Sequence, residues 1–285
     1  MADYTPEPLI DGFRFLEGPR WHAGRLWMSD MGAGKVYTLS EAGELAVVVE
    51  VRGDPSGLGF LPDGTPLIVS MQDRRLLRLE NGALVCHADL APLVGDKPND
   101  MVVDRRGRAY IGNFGYDIEA EAPFRPANLV LVEPSGEARV VADDLAFPNG
   151  TVILEDGKTL VVAESDGHCL TAFAIAADGS LSDRRCYADL GEHDPDGICL
   201  DRDGGIWVSS FSHDVYLRVL EGGEVTDRVP VPGRRAVACQ LGGSDGRTLF
   251  CLTCASSWAD LCAGAGGDRA RVETARVAVS GAGSP

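Results

Sequence analysis

The chain has 285 residues, 45% hydrophobic and 24% charged, with a formal net charge of −17 at pH 7. That is an ordinary globular balance at a length that buries a sizeable core. No basic face is left to neutralise phosphates, which argues against nucleic-acid binding, and no run approaches the roughly 18 apolar residues of a membrane span.

The first residues, MADYTPEPLIDGFRFLEG, have neither the basic n-region nor the apolar h-region of a signal peptide, so a cytoplasmic location is expected. Most of the eight cysteines sit singly in apolar, strand-like runs, where cysteine behaves as a small hydrophobe. The one CxxC, Cys251 and Cys254 in FCLTC, falls in a strand pattern. Side chains three apart on a strand face opposite sides, so neither zinc nor redox chemistry is expected there. Reduced thiols agree with a cytoplasmic protein. Nothing in the chain marks an obligate protein partner.

In chain order, one phrase recurs. It begins at Glu17 (EGPRWHAGRLWMSD), Ser56 (SGLGFLPDGTPLIVS), Asn99 (NDMVVDRRGRAYIG), Asn149 (NGTVILEDGKTLVVAES), Asp196 (DGICLDRDGGIWVSS) and, more weakly, Val237 (VACQLGGSDGRTLFCLT), at intervals of 39, 43, 50, 47 and 41 residues. Each copy predicts a short strand, a Gly-containing turn and a second apolar strand. Between copies come further hairpin signals, among them KVYTLSEAGELAVVVE, LLRLENGALVCHA and LVLVEPSGEARVVA. Helical periodicity is almost absent. Four short strands per repeat and six repeats predict an all-β, six-bladed β-propeller of antiparallel blades, one domain spanning residues 1–285. A stacked solenoid would need distinct caps, and none is visible. The tail ARVETARVAV is a strand that can pair with the other terminus and close the ring.

In such a ring the residue heading each phrase stands at the entrance to an innermost strand, so the six converge on the axis. Four bring side-chain oxygens: Glu17, Asn99, Asn149 and Asp196. Ser56 reads as a lining residue and Val237 as filler. Asn and Asp beside Pro and Gly commonly form turns; four oxygen-bearing residues at equivalent positions say more. Two carboxylates on one axis repel unless a cation lies between them. All-oxygen ligation suits Ca²⁺ first, with Mg²⁺, Mn²⁺ or Zn²⁺ as alternatives, zinc being disfavoured by the lack of His and Cys at these positions.

The stretches LEGPRW, PNDMVVDRRGRAYIG, PNGTVILEDGKTL, PDGICLDRDGGIWV and RVETARV closely resemble the family that joins regucalcin (senescence marker protein), bacterial gluconolactonases and luciferin-regenerating enzymes. The likeness spans essentially the whole chain. It implies one divalent cation in the central channel, with the family's ligands falling on Glu17, Asn149 and Asp196. Asn99 matches an asparagine that faces substrate or joins the metal shell, and the proton-transfer residue falls on Asp196. Sugar-lactonase members carry Arg two residues before the first asparagine, against substrate hydroxyls. Here that residue is Lys97, a point charge without the arginine fork.

The expected reaction is therefore metal-assisted opening of a lactone ring, sugar or more apolar. The ion polarises the carbonyl, and either Asp196 or a metal-bound hydroxide supplies the activated water. Lys97, Asn99, Trp21, Tyr116 and Phe147 are the expected substrate contacts, and Phe114 and Trp258 also flank the mouth. Asp100 is a candidate brace for the metal shell, and His193 a candidate second acid/base at the rim. Organophosphate-ester hydrolysis at the same metal site and a non-catalytic calcium-binding propeller are the alternatives.

Overall fold

The computed structural model describes residues 1–256 and 267–283. Six sheets, each built on four antiparallel strands, form the six-bladed β-propeller that the repeat predicts. Their innermost strands are Leu16–His22, Pro55–Phe60, Pro98–Val103, Pro148–Ile153, Pro195–Leu200 and Arg235–Gly242, which define blades 1 to 6. Among the described residues the helical pieces are two three-residue 3₁₀ turns, Met31–Ala33 and Phe211–His213. Neither turn, nor any other helix among the described residues, is long and apolar enough to cross a membrane.

Blade 6 draws on both ends of the chain. Its strand Ala270–Arg276, the predicted tail strand, pairs on one side with Thr248–Cys254 and on the other with Glu7–Phe13. Ala2–Asp3 runs on to add a short parallel edge to blade 5. Apolar side chains fill the gaps between adjacent blades: Leu67, Val69, Met101, Val103 and Ile111, for example, form one cluster between blades 2 and 3.

The recurring phrase has a local physical cause. In all six blades the pairing of first and second strands shifts register around the residue that heads the phrase. Such a bulge re-aims one side chain, here toward the axis. In blades 2 to 5 the strand opens on proline (Pro55, Pro98, Pro148, Pro195), which has no N–H to lose from the ladder. The glycine that follows in most blades lets neighbouring inner strands touch backbone to backbone. A Cβ on Gly57 would stand 2.8 Å from the carbonyl oxygen of Asn99, and one on Gly150 would stand 2.5 Å from the Ile198 nitrogen and 2.6 Å from the Asp196 oxygen. Blade 3 breaks the pattern by placing Asp100 there.

Replacing Gly150 with Ala forces backbone atoms of blades 4 and 5 apart. The expected loss is about 1–3 kcal/mol of unfolding free energy, read from the denaturant midpoint; an unchanged midpoint would refute the close-approach account.

Candidate functional site

First strands begin and second strands end on the same face of the ring, and there the chain encloses a cavity of about 480 Å³. Its floor includes Glu17, Asn99, Asn149 and Asp196, the four predicted oxygen donors, all at least nine-tenths buried. Ser56 and Val237, heading the other two blades, are buried without lining the cavity.

The two asparagines differ. Ser56 Oγ donates to Asn99 Oδ1 at 3.1 Å, so the Asn99 oxygen is already engaged. Asn149 Nδ2 donates to Ser165 Oγ at 3.2 Å, and Ser165 Oγ in turn donates to the Pro195 carbonyl at 2.6 Å. This chain fixes the amide of Asn149. Its Oδ1 is buried with no hydrogen-bond partner, an arrangement that costs about 1–3 kcal/mol unless something else supplies positive charge. Five buried side-chain atoms among the described residues lack partners, and Asn149 Oδ1 is the one on this cavity.

The carboxylates are under similar tension. Burial pushes the Glu17 carboxyl well above the usual range, and the charges of Asp196 and Asp100 add to the effect. Burial also raises Asp196, reinforced by Asp194 and Asp100 and partly opposed by the amide of Asn149. Asp100 is raised by burial too, against the pull of Arg20. Arg20 Nη2 donates to Asp100 Oδ1 at 2.7 Å and also to the Met101 carbonyl. Asp100 therefore answers to a guanidinium of blade 1 rather than to the floor residues it was expected to brace. One guanidinium faces three buried carboxyls, which leaves the floor short of positive charge.

This donor set fits a divalent cation. Glu17 and Asp196 offer carboxylates, and Asn149 offers an unpartnered amide oxygen. Among the described residues no group of three His, Cys, Asp or Glu side chains is placed to hold an ion by itself, so a cation here would draw on amide oxygen as well. The cavity's described lining contains neither His nor Cys, which favours an oxygen-seeking ion such as Ca²⁺.

Around the floor stands an apolar wall. Phe114, Tyr116 and Ile118 follow the second strand of blade 3, Phe147 precedes blade 4, and Phe15 precedes blade 1. Met31 and Phe211 occupy the two 3₁₀ turns. Tyr116 and Phe147 are thus where substrate contacts are expected; Trp258 lies outside the described residues.

Two expected contacts are not brought to the cavity. Trp21 is four residues beyond Glu17, roughly 13 Å along a strand at 3.3 Å per residue. It stacks on Phe250 with centroids 5.4 Å apart, packing blade 1 against blade 6. Lys97 is nine-tenths buried, and its Nζ pairs with Glu119 Oε1 at 2.7 Å, so it does not line the cavity. His193 also stays outside the lining, with Nδ1 3.0 Å from Ser210 Oγ and its ring 4.8 Å from that of His213.

Sequence reasoning passed over Asp166, Asp194 and Ser165, which do line the cavity. Asp166 Oδ2 accepts from the Tyr116 hydroxyl at 2.8 Å, and Asp194 accepts from the Ser212 backbone N–H and hydroxyl. Asp194 had one signal, its place two residues before Asp196 in EHDPDG.

With this geometry in hand, comparison with known proteins is informative. The family profile for the SMP-30/Gluconolactonase/LRE-like region matches residues 15–255. The chain belongs to that family. It is 24% identical over 247 residues to a 6-deoxy-6-sulfogluconolactonase of Pseudomonas putida, covering 82% of this chain and 81% of that one. It is 28% identical to the regucalcin of Gallus gallus over 258 residues, covering 88% and 86%. Among solved structures, a calcium-binding regucalcin from Agrobacterium tumefaciens shares the fold at a TM-score of 0.84, with 22% identity over 100% of this chain and 98% of that one. A gluconolactonase from Xanthomonas campestris aligns at 0.73 with 25% identity, covering 94% and 88%. Gluconolactonase-like membership points to lactone hydrolysis.

The raised carboxyls set a pH signature. Both titrate higher in the folded than in the unfolded chain, so the folded metal-free protein holds extra protons. That stabilisation is complete near ordinary carboxylate pKa values and is lost as pH rises through the raised ones. A cation held by these carboxylates would compete with those protons. The gain in Tm on adding Ca²⁺ to EDTA-stripped protein should therefore grow from about pH 5 to pH 8; a gain independent of pH would contradict it.

Proposed function

We propose that the protein is a divalent-metal-dependent lactonase whose cation is held by Glu17, Asn149 and Asp196. The observation that carries this reading is the unpartnered Asn149 oxygen on the same cavity as two buried carboxylates, in a chain of the gluconolactonase family. When bound, the cation polarises the lactone carbonyl and stabilises the negative charge that develops on its oxygen.

The remaining work falls to the chain. Asp196 takes a proton from the water that attacks the carbonyl carbon, and returns it to the ring oxygen as the C–O bond breaks, giving the open hydroxy acid. Burial, which holds this carboxyl above its ordinary range, opposes the acidifying pull of a neighbouring cation. Asn99, with its oxygen engaged by Ser56, has its Nδ2 donors to offer the substrate, which supports a substrate-orienting role over ligation. Ser165 holds the Asn149 amide in place. The aromatic wall thins the water around the reacting carbonyl, strengthening each electrostatic contact.

A phosphotriester is the second reading, because the apolar wall suits its ester groups as well as it suits a lactone. EDTA-stripped protein, reloaded with Ca²⁺, Mg²⁺ or Mn²⁺ and offered lactones and aryl phosphotriesters, separates the two. Metal-dependent lactone opening is expected. Turnover of phosphotriesters alone would shift the assignment, and turnover of neither with metal bound would make this a binding protein.

Asp196→Ala should lower lactone turnover by about 10²–10⁴-fold, measured under saturating Ca²⁺; retention of activity with metal bound would remove Asp196 from its role. Asn149→Leu should weaken Ca²⁺ binding by at least about tenfold in calorimetry, while Asn99→Leu weakens it less.

A further inference from the structure

We propose that the substrate is a neutral lactone carrying an apolar substituent, seated against the Phe114–Phe147 wall, rather than a polyhydroxylated or anionic sugar lactone. This rests on the lactone-hydrolysis reading above and names the substrate class of the same site.

Charge is the first argument. The described residues lining the cavity include five carboxylates (Glu17, Glu121, Asp166, Asp194, Asp196) and no lysine or arginine. Residues 257–266, SWADLCAGAG, contain no lysine or arginine either. Three cations on neighbouring segments are already committed. Lys97 pairs with Glu119, Arg20 with Asp100, and Arg235 stands 5.7 Å from the Phe211 ring and reaches Asp214 and the Ser212 carbonyl. A bound divalent ion offsets the floor carboxylates and leaves the rim acidic. A carboxylate, sulfonate or phosphate on the substrate would meet repulsion with no partner.

Hydroxyl recognition is the second. Polyols are held by side chains whose donors and acceptors are otherwise unmet. Here two of the three acids above the floor are engaged within the protein, Asp166 by the Tyr116 hydroxyl and Asp194 by Ser212 and by Ser210 Oγ at 3.3 Å, and Glu121 is the third. The lysine that stands where the resemblance expects arginine is held in its ion pair with Glu119 and does not line the cavity.

Shape is the third. Phe114 and Phe147 lie 4.7 Å apart at 30°, and Tyr116 extends the surface, 6.5 Å from Phe147. Phe114 is rooted in the core between blades 2 and 3, and Tyr116 is tethered through its hydroxyl to Asp166, so this wall is preformed. Ile118 adjoins it, and Phe15, Met31 and Phe211 stand on the other sides. About 480 Å³ holds a lactone ring and a short alkyl or aryl chain. Burying that chain against aromatic carbon is favourable, whereas a row of hydroxyls there would lose water without replacement.

The test compares kcat/KM of the Ca²⁺-loaded protein on four δ-lactones: unsubstituted, pentyl-substituted, glucono, and a phosphate-bearing sugar lactone. Each buried methylene gives about three- to fourfold, so five of them should put the pentyl lactone above the unsubstituted one by on the order of several hundredfold, with the phosphate-bearing lactone slowest. Phe147→Ala should shrink the pentyl-to-unsubstituted ratio by about tenfold. Glucono-δ-lactone or its phosphate turned over as fast as the pentyl lactone would overturn the proposal while leaving lactone hydrolysis standing. If no lactone is opened, the hydrolysis reading fails, and binding decides the apolar site by itself. A pentyl-substituted δ-lactam, which keeps the ring without the ester, should bind at least about tenfold tighter than the unsubstituted δ-lactam in calorimetry; equal affinities would overturn the proposal.

Discussion

Two carboxylates share one buried cavity at the centre of this molecule, and the rest of the structure is arranged around that repulsion. Glu17 and Asp196 come from blades 1 and 5, with Asp100 of blade 3 close enough to raise both. Taking such charges out of water is costly unless they are compensated. The protein supplies one guanidinium, Arg20, and aims it at Asp100. What remains uncompensated is the pair on the floor and the amide oxygen beside them. A site that is electrostatically incomplete in this way is suited to bind a cation strongly, because the cost has already been met by the packing of the ring.

That packing is a matter of backbone contact. Six inner strands can crowd one axis only if each presents little bulk to the next, and the Gly57–Asn99 and Gly150–Asp196 approaches show how closely they come. Proline, oxygen-bearing residue and glycine are thus one device. The first gives up a donor the ladder does not need, the second turns inward on a bulge, and the third makes room. The phrase recurs because the geometry recurs.

The fold was legible for this reason: repetition six times over makes weak local signals collectively strong. The four oxygen donors were legible from their common position. The division of labour between the asparagines was not, because it depends on which amide a serine of the neighbouring blade reaches, and Ser56 reaches Asn99. Trp21 was misjudged through distance, since a strand carries its fifth residue well away from the mouth. Lys97 was misjudged because its partner Glu119 lies in a long loop whose course no periodicity reports. The Arg20–Asp100 pair had left a trace in the sequence. Where other blades follow the marker with a small residue, blade 3 has a charged one, and a departure from an otherwise regular repeat calls for a partner.

The seam in blade 6 bears on how the polypeptide is made. Glu7 lies opposite Thr274, and Phe13 opposite Ala270, so a segment translated ahead of blades 1 to 5 has its place in the sheet translated after them. Until the strand Ala270–Arg276 emerges that segment has no neighbour to zip against, and the pairing spans all five intervening blades, the kind of long-range contact that slows folding. The circle, and with it the shared floor contributed by blades 1 and 5, is joined in blade 6 by strands that precede blade 1 and follow blade 5; without Ala270–Arg276 the ribbon Glu7–Phe13 has no strand to lie against.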